Sequence, residues 1–364
     1  MATLAVLVGL VMVLSVTADM VNTLVTTTTG SGRFWLTNIL YRRTWRALRA
    51  VSARLPSESL KEALLTYFAP VSVLLLLVAW VLQQIIGFGL IWWGFGGVTG
   101  ADSLFDAIYY SGVVYFTLGF GEVVPSTTVP RLGALAEALS GVLTTALVIG
   151  YLPALYGAYS KREQKLMMLD DGQEDRITPV GLLISRSPTA DVADVLGFFE
   201  GWEEWVSEVI ETHSTFPMLR LFRSKYPGQN WVTALGLITD AALQCQLIVG
   251  ASHRAPYWML RRSIILFDEL TKGVDLSEYR ERFDRSYEEA DGVNAQMFQE
   301  LYQQLLDHGF ELHPYEKARA ESMELRRLYD AKLEYLIDEL LAPRGFWGHK
   351  IGVKAAAARG ALDR

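Results

Sequence analysis

Three apolar runs separated by polar stretches dominate the first 160 residues of the chain. They cover 3–17, 64–95 and 129–159, and the segment 71–82 within the second is almost unbroken in apolar character. An apolar helix of about 20 residues crosses the hydrocarbon core of a bilayer, which is about 30 Å thick. The pattern therefore predicts three membrane-spanning helices, at 1–25, 64–95 and 129–160.

The first run has a second interpretation, as a cleaved signal peptide. Val16-Thr17-Ala18 resembles the small-residue site at which signal peptides are cleaved. However, no Lys or Arg precedes Arg33, so the basic segment with which a signal peptide begins is missing. A retained outer helix is therefore the prediction for 1–25.

After residue 186 the pattern changes to apolar positions at helical spacing with acidic residues between them. This spacing predicts amphipathic helices that pack into a bundle. The stretch 231–250 is apolar enough to suggest a fourth span. Asp240 opposes it, because a carboxylate at the centre of a membrane helix costs about 2.5–3.5 kcal/mol on insertion scales. We therefore expect a helical cytosolic domain at 187–342 that contains 231–250 as a buried helix.

Two polar segments flank this domain. The linker at 161–186 contains an acidic run, 170–175, whose spacing does not match a calcium-binding loop, so a solvated linker is expected. The segment 343–364 is a basic tail. In the helix before the tail, an apolar stripe predicts a core or subunit contact and comprises Leu325, Leu328, Tyr329, Leu333, Leu336 and Leu340.

The charge distribution supports this division into membrane and soluble parts. The chain has 364 residues and is 51% hydrophobic. Residues 1–160 carry 8 Lys/Arg and 7 Asp/Glu, a net charge of +1, and the remainder carries 25 and 33, a net charge of −8. An acidic soluble part without a large basic patch argues against nucleic-acid binding. The single cysteine, Cys245, excludes an intrachain disulfide and fits a reducing cytosol.

A basic segment at 33–61 sets the expected orientation. The positive-inside rule keeps such a cluster in the cytoplasm, together with the basic residues that end the third span. This places the N-terminus outside and the helical domain in the cytoplasm, with the chain in the plasma membrane. The basic residues are Arg33, Arg42, Arg43, Arg46, Arg49, Arg54 and Lys61, followed later by Lys161, Arg162 and Lys165.

Arg43, Arg46 and Arg49 recur every third residue, which invites a voltage-sensor interpretation. Such a sensor needs a bundle of helices to shield its charges, and only one span precedes these arginines. The prediction is instead an interfacial amphipathic helix, with Phe34, Trp35 and Trp45 at the level of the lipid headgroups and the arginines on lipid phosphates.

The stretch 102–125 lies between the second and third spans. Asp102 or Ser103 suits an N-cap, and Asp106 lies in the first turn, where the helix dipole favours a carboxylate. A short apolar and aromatic helix is therefore predicted over 103–116. The following residues, 117–122, have the sequence Thr-Leu-Gly-Phe-Gly-Glu and do not continue a helix comfortably, since two of them are glycine.

This segment suits the binding of a dehydrated cation. A selectivity filter replaces the water around the ion with backbone carbonyls aimed at one axis. Alternate residues must then adopt unusual φ, which Gly119 and Gly121 tolerate. The Thr117 hydroxyl is expected to add an oxygen at the inner end. Leu118 and Phe120 are expected to point away from the axis and wedge the segment against the short helix.

A short helix followed by Thr-x-Gly-aromatic-Gly-acidic resembles the pore helix and selectivity filter of tetrameric potassium channels. The stretch 64–165 resembles the unit of two helices and one pore loop found in bacterial members of that family. The resemblance implies a pore domain at 64–160. It implies an ion-binding filter of Thr117, Leu118, Gly119, Phe120 and Gly121, with Glu122 as the outer acidic residue. One pore loop per chain implies a homotetramer, since one axis needs four carbonyls at each level.

Four positions depart from the pattern of that family. Phe116 stands where Thr or Ser is usual, Leu118 replaces Val or Ile, and Glu122 replaces the commoner Asp. Val113 occupies a position where some members carry a carboxylate that braces the filter. A weakly selective cation channel therefore remains the nearest alternative to a potassium-selective one.

The third span has two candidate bends for a gate. Gly141 lies 22 residues after Gly119, which resembles the position of the hinge glycine on the inner helix of this family. Pro153 removes a helix hydrogen bond and clashes with the preceding turn. Helix packing is the alternative explanation of both residues. Candidates for lining the inner cavity are Thr144, Thr145 and Val148.

These features together predict an all-α membrane protein that is a homotetrameric, potassium-selective ion channel gated by its helical cytosolic domain. K⁺ is the permeant ion, and no other metal or cofactor is expected. The expected partners are the lipid bilayer and further copies of the chain, while a ligand or protein partner of the cytosolic domain is left open. A membrane-anchored scaffold with a closed pore is an alternative from another class. An enzyme is not expected, because no defensible Ser/His/Asp order or nucleotide-binding Gly motif is found.

Overall fold

A computed structural model describes residues 1–24, 35–169, 178–224, 230–249, 254–288 and 293–342. The acidic run at 170–175, the tail at 343–364 and residues 33 and 34 of the basic segment lie outside the described residues. The chain divides into two compact units. The first unit comprises Met1–Ala158 and Ser214–Phe222, and the second comprises Tyr159–His213 and Arg223–Arg364.

The first unit contains the three helices that are long and apolar enough to cross a membrane. Two short strands pair antiparallel on either side of a 12-residue helix, with Val98 opposite Pro125 and Thr99 opposite Val124. The elements in order are α1 (Ala2–Leu24), α2 (Trp35–Ser52), α3 (Glu58–Phe95), β1 (Val98–Thr99), α4 (Leu104–Tyr115), β2 (Val124–Pro125) and α5 (Thr128–Met167). The chain is thus an all-α membrane protein in which α1, α3 and α5 are the candidate spans.

Both long helices extend beyond the predicted spans. α3 begins at Glu58 instead of 64, and α5 continues to Met167 instead of ending at 160. The additional turns are rich in Lys, Glu, Gln and Arg, which are good helix formers, so each helix outlasts its apolar run. The predicted linker at 161–186 is accordingly helical at both ends, in the last turns of α5 and in α6 (Pro179–Arg186).

α1 packs along α3 at close range. A Cβ atom added to Gly9 would lie only 2.4 Å from the carbonyl oxygen of Gly87, so these helices approach as closely as small residues allow. Towards the other end of α1, the Asp19 carboxylate accepts hydrogen bonds from Trp80 Nε1 at 2.9 Å and from the Thr37 hydroxyl at 2.8 Å. The outer helix is therefore tied to both α2 and α3.

α2 is amphipathic, as predicted, but its aromatic residue Trp45 does not lie at the surface. The Trp45 side chain is buried, and its ring lies 5.2 Å from that of Phe68 on α3. The expectation that Trp45 sits among lipid headgroups is wrong, because packing on α3 already removes this face from solvent and lipid. Arg43 and Arg46 are exposed.

The second unit is a bundle of helices. Its elements after α6 are α7 (Ala193–Thr215), α8 (Trp231–Cys245), α9 (Arg254–Leu270), α10 (Ser277–Glu288), α11 (Val293–His308), α12 (Tyr315–Arg327) and α13 (Asp330–Leu340). All 15 residues of α8 are buried, and α8 packs against α6, α9, α12 and α13. Its Asp240 forms an ion pair with Arg326 at 3.1 Å and accepts a hydrogen bond from the Tyr329 hydroxyl. The prediction of a buried bundle helix here is confirmed.

The predicted apolar stripe of the last helix is interrupted. Instead of one helix, the chain forms α12 and α13 with a break at Leu328 and Tyr329. Tyr329 and Leu333 are fully buried, whereas Leu328 is 42% exposed, so Leu328 does not belong to the core of this unit. The alternative expectation of a subunit contact stays a prediction at Leu328. At this break the Tyr329 hydroxyl donates a hydrogen bond to Asp240 of α8.

Candidate functional site

The short helix α4 begins with a capping box. The backbone N–H of Asp106 donates to Ser103 Oγ at 3.2 Å, and the backbone N–H of Ser103 donates to Asp106 Oδ2 at 2.8 Å. Two of the backbone donors that a helix leaves unsatisfied at its start are thereby paired. Of the two N-cap candidates, Ser103 is the cap.

α4 ends in a Schellman motif, which sets the conformation of the first candidate filter residue. The Leu118 N–H donates to the Val113 carbonyl at 2.8 Å, and the Thr117 N–H donates to the Val114 carbonyl at 3.0 Å. This motif requires a left-handed residue after the helix, a position that glycine usually takes. Here the residue is Thr117, with φ of 56°.

Left-handed conformations then recur at every second residue. Gly119 has φ of 62° and Gly121 has φ of 91°, so residues 117, 119 and 121 alternate with ordinary residues at 118 and 120. Nothing lies within 4 Å of a Cβ atom added to either glycine, so the backbone conformation, and not lack of space, requires glycine. The sequence did not predict Thr117 as the third member, since a β-branched residue rarely adopts positive φ.

The carbonyl oxygens of this segment are available to a ligand. None of the described residues donates a hydrogen bond to the carbonyls of residues 117–121. Backbone carbonyl and hydroxyl oxygens are ligands that hard cations prefer. Elsewhere in the described parts of the chain, no group of three or more His, Cys, Asp or Glu residues is placed to hold a metal ion.

Three apolar side chains at the end of α4 and in the segment are largely exposed. Phe116, Leu118 and Phe120 are 55%, 56% and 66% exposed. The contact that Leu118 and Phe120 are expected to make with a short helix is therefore not formed within one chain, and it stays a prediction for an assembly of several copies. The physical reason is that α4 already packs on α3, so the chain offers these two side chains no pocket of its own.

The outer end of the segment is held by a hydrogen bond and by the strand pairing. The Tyr109 hydroxyl of α4 donates to the Glu122 carboxylate at 2.5 Å, and this bond lowers the pKa of Glu122 below its usual value. Shortly afterwards β2 pairs with β1, and the Ser126 N–H donates to the Gly97 carbonyl at 2.9 Å. Residues 117–121 are thus fixed at both ends, by the end of α4 before them and by these contacts after them.

A buried carboxyl group lies behind α4 that the sequence analysis missed. Glu137 of α5 is fully buried; its Oε2 accepts a hydrogen bond from Trp92 Nε1 at 2.7 Å, and its Oε1 is hydrogen-bonded to the Ser111 hydroxyl. A signal was present, because an ionisable residue inside an apolar span is by default a functional candidate. Within the apolar runs 3–25 and 129–160 of the candidate spans α1 and α5, the carboxyl residues are Asp19 and Glu137.

The structure gives Gly141 a packing role. A Cβ atom added to Gly141 would lie 2.0 Å from the Tyr115 carbonyl oxygen at the end of α4, so close helix contact alone accounts for a glycine there. Its role as a gating hinge stays a prediction. Pro153 lies within α5, and Tyr151, two residues earlier, packs edge-to-face against Phe216 with ring centroids 5.4 Å apart.

The three candidate cavity residues differ in their surroundings. Thr144 is buried, and its hydroxyl donates to the Ser140 carbonyl. Thr145 is exposed and bonds to the Gly141 carbonyl, and Val148 is half-buried. The expected inner cavity lies between copies of the chain, so a single copy does not show which side chains line it. The assignment of these three residues therefore also stays a prediction.

Comparison with known proteins links this geometry to ion transport. Residues 71–156 match the model of an ion channel family, and this range contains most of α3, all of α4, the 117–121 segment and much of α5. The match supports an ion channel and points to a transport role instead of catalysis.

A relative from the curated proteins agrees with the membrane assignment. The chain is 24% identical over 246 residues to the uncharacterized membrane protein YdjJ of Bacillus subtilis (strain 168). The alignment covers 63% of this chain and 66% of that protein, just under two thirds of its length. No solved structure matches the chain.

Proposed function

We propose that the protein is a homotetrameric, potassium-selective channel of the plasma membrane. Dehydrated K⁺ passes along the axis between four copies of residues 117–121, with the carbonyl oxygens replacing its water shell. Glu122 lies at the outer mouth. The N-terminus faces outside and the second unit lies in the cytoplasm, as the distribution of Lys and Arg favours.

The observation that carries this proposal is the alternation of left-handed residues at 117, 119 and 121. In an ordinary extended strand, successive carbonyls point to opposite sides. Inverting every second residue points them towards the same side, which a cation filter requires. The carbonyls of this segment also have no hydrogen-bond donors among the described residues, so they are free to bind an ion.

The tetramer is supported by the exposed apolar residues of the same segment. Phe116, Leu118 and Phe120 are each more than half exposed in a single chain, and large exposed apolar side chains next to a functional segment mark an interface. Association of four chains around one axis covers these side chains with α4 of a neighbouring copy.

Gating by the second unit is supported by the way the chain passes between the units. α5 is one helix, and its residues from Tyr159 onward belong to the second unit. There Arg162 is buried, lies 5.3 Å from the ring of Trp231, and accepts a hydrogen bond from Trp205 Nε1 on its carbonyl. A rearrangement of the second unit therefore moves the end of the inner helix.

Residues 214–222 provide a second connection. They follow α7 in the chain but belong to the first unit, where Phe216 packs on Tyr151 and Phe222 packs on Tyr156. These two contacts bracket Pro153, so this segment holds the turn of α5 where the helix hydrogen bonding is interrupted.

This connection predicts a gating phenotype. Edge-to-face aromatic pairs contribute about 0.5–1.5 kcal/mol, so Phe216→Ala and Tyr151→Ala are each expected to change the open fraction by about 2- to 10-fold. The double variant is expected to show no further change, and potassium selectivity is expected to be preserved in all three. Single-channel recording measures both quantities. Tyr257→Ala, which removes a 45% exposed aromatic ring of α9, serves as the control. Additive effects of the two substitutions would contradict the proposed connection.

The function itself is tested by K⁺ flux into liposomes that contain the purified full-length protein. Flux that quaternary ammonium blocks, and that Na⁺ does not support, is the expected result. Equal K⁺ and Na⁺ flux would favour the weakly selective cation channel. A protein that stays silent under all conditions of voltage, pH and divalent cation concentration would favour the scaffold.

A further inference from the structure

The hydrogen bonds around Glu137 fix the number of protons at this site. Ser111 Oγ lies 2.8 Å from the carbonyl oxygen of Ile85 and is also hydrogen-bonded to Glu137 Oε1. A carbonyl oxygen only accepts, and an ionised carboxylate only accepts. The Ser111 hydroxyl has a single proton and cannot make a full hydrogen bond to two acceptors.

A proton on the carboxyl group of Glu137 resolves this conflict. Glu137 Oε1–H then donates to Ser111 Oγ, Ser111 Oγ–H donates to the Ile85 carbonyl, and Trp92 Nε1–H donates to Glu137 Oε2 at 2.7 Å. Every donor in this series of hydrogen bonds has one acceptor, and both oxygens of the Glu137 carboxyl group take part. Ser111 and Glu137 are each 0% exposed, so solvent does not supply a missing donor.

The surroundings of Glu137 also disfavour an ion. Among the described residues, no Lys, Arg or His forms an ion pair with its carboxyl group. The group lies within an apolar helix of membrane-spanning length and next to the aromatic cluster of Trp92 and Tyr110. An isolated charge in such a place is costly, whereas a hydrogen-bonded neutral acid is not.

We propose that Glu137 is held as a neutral carboxylic acid that positions the pore helix α4 and, through it, the ion-conducting segment. The group joins three helices at one point, since Trp92 and Ile85 belong to α3, Ser111 to α4 and Glu137 to α5. Ser111 lies two residues before Val113, whose carbonyl accepts the hydrogen bond that ends α4 and starts the 117–121 segment. This inference rests on the proposed function of that segment as a filter.

Glu137 contacts α4 on a different face from that of Val113. Val113 is buried within the first unit, and the acid that contacts α4 comes from α5 at the level of Ser111, about half a helical turn earlier. Support of the pore helix is thus provided from the inner helix of the same chain.

The protonation state is tested by infrared difference spectroscopy on the full-length protein at pH 7. The wild-type spectrum minus that of Glu137→Gln contains the bands of the Glu137 carboxyl group with one sign and those of the introduced amide with the other. The expected difference contains the C=O stretch of a protonated carboxylic acid. A difference with the paired bands of a carboxylate would overturn the assignment of the proton. This readout does not depend on ion conduction, so it decides the proton even if the protein proves not to conduct.

The positioning role is tested by potassium-to-sodium selectivity. Glu137→Gln keeps a donor for Ser111 Oγ and an acceptor for Trp92 Nε1, so its selectivity is expected to stay within about 2-fold of wild type. Glu137→Ala removes both hydrogen bonds, each of which contributes about 0.5–1.5 kcal/mol, and is expected to lower the selectivity about tenfold. Trp92→Phe and Ser111→Ala are expected to give smaller losses in the same direction.

Trp93→Phe is the matched control, because Trp93 is adjacent on α3 and 42% exposed; it is expected to match wild type. Wild-type selectivity in Glu137→Ala would overturn the positioning role. A loss of selectivity in Glu137→Gln as large as that in Glu137→Ala would contradict the assignment of Glu137 as a neutral acid. If Glu137→Ala does not assemble, the Trp92→Phe and Ser111→Ala variants decide the positioning role instead, and wild-type selectivity in both would overturn it.

Discussion

Gly119→Ala is expected to abolish potassium flux through the reconstituted protein. Gly119 has φ of 62°, and an alanine there costs roughly 1–2 kcal/mol more than glycine because Cβ approaches the following carbonyl oxygen. The backbone N–H groups of Thr117 and Leu118 are hydrogen-bonded, but residues 119–121 make no backbone hydrogen bonds that would hold a strained residue in place. The alanine variant is therefore expected to relieve its strain by turning the 119 peptide, which moves one carbonyl out of line with its neighbours.

Gly197→Ala is the matched control for this substitution. Gly197 lies on an exposed position of α7, it does not have positive φ, and nothing lies within 4 Å of an added Cβ atom. Liposome flux of the Gly197 variant is expected to equal that of wild type. A Gly119→Ala protein that assembles and conducts as well as wild type would contradict the assignment of residues 117–121 as the filter.

Arg326→Leu is expected to destabilise the second unit by about 3–5 kcal/mol, the usual cost of removing one partner of a buried ion pair. Arg326 is 8% exposed and lies 3.1 Å from Asp240 and 3.4 Å from Asp330. Without the guanidinium, the two buried carboxylates lose the cation between them. Asp240 belongs to the fully buried helix α8, so the lost ion pair lies at the centre of the bundle.

Cys245 provides the measurement, since it is the only cysteine in the chain and ends α8. Its thiol is fully buried, and burial raises its pKa well above the usual value, so it reacts slowly in the folded protein. A loss of 3 kcal/mol or more raises the fraction of opened molecules, and hence the labelling rate, by about 100-fold or more.

Arg282→Leu is the control for Arg326→Leu. Arg282 pairs with Glu278 at 3.0 Å on the surface of α10, with 54% and 78% of the two side chains exposed. Such helix pairs contribute only about 0.3–0.5 kcal/mol, so the labelling rate of Cys245 is expected to change by about 2-fold at most. Equal labelling rates in the two variants would show that the buried ion pair does not stabilise the bundle.

The membrane part of the fold was predictable because hydrophobic runs report membrane crossing directly. The three spans follow from apolar length alone, and the short helix with its Gly-x-Gly segment follows from local residue preferences at 103–122. The ends of the helices were less predictable. An apolar run marks where the membrane ends, whereas α5 continues to Met167 because its polar residues also favour helix.

The features that the sequence did not predict depend on contacts between distant residues. Thr117 adopts positive φ because the end of α4 imposes it, against the preference of a β-branched residue. Glu137 becomes a site only where α3, α4 and α5 meet. Leu328 appeared to continue an apolar stripe, but it lies at the break between α12 and α13 and is exposed. Each of these is decided by tertiary packing, which periodicity along the chain does not encode.

The central claim, that residues 117–121 form a potassium-selective pathway, is tested most directly by the reversal potential of wild-type channels with K⁺ on one side and Na⁺ on the other. Each tenfold of selectivity between two monovalent ions shifts this potential by about 59 mV. A potassium-selective pathway is expected to shift the reversal potential by more than about 59 mV towards the potassium equilibrium potential, with a current that quaternary ammonium blocks. A blockable current that reverses near 0 mV would contradict potassium selectivity.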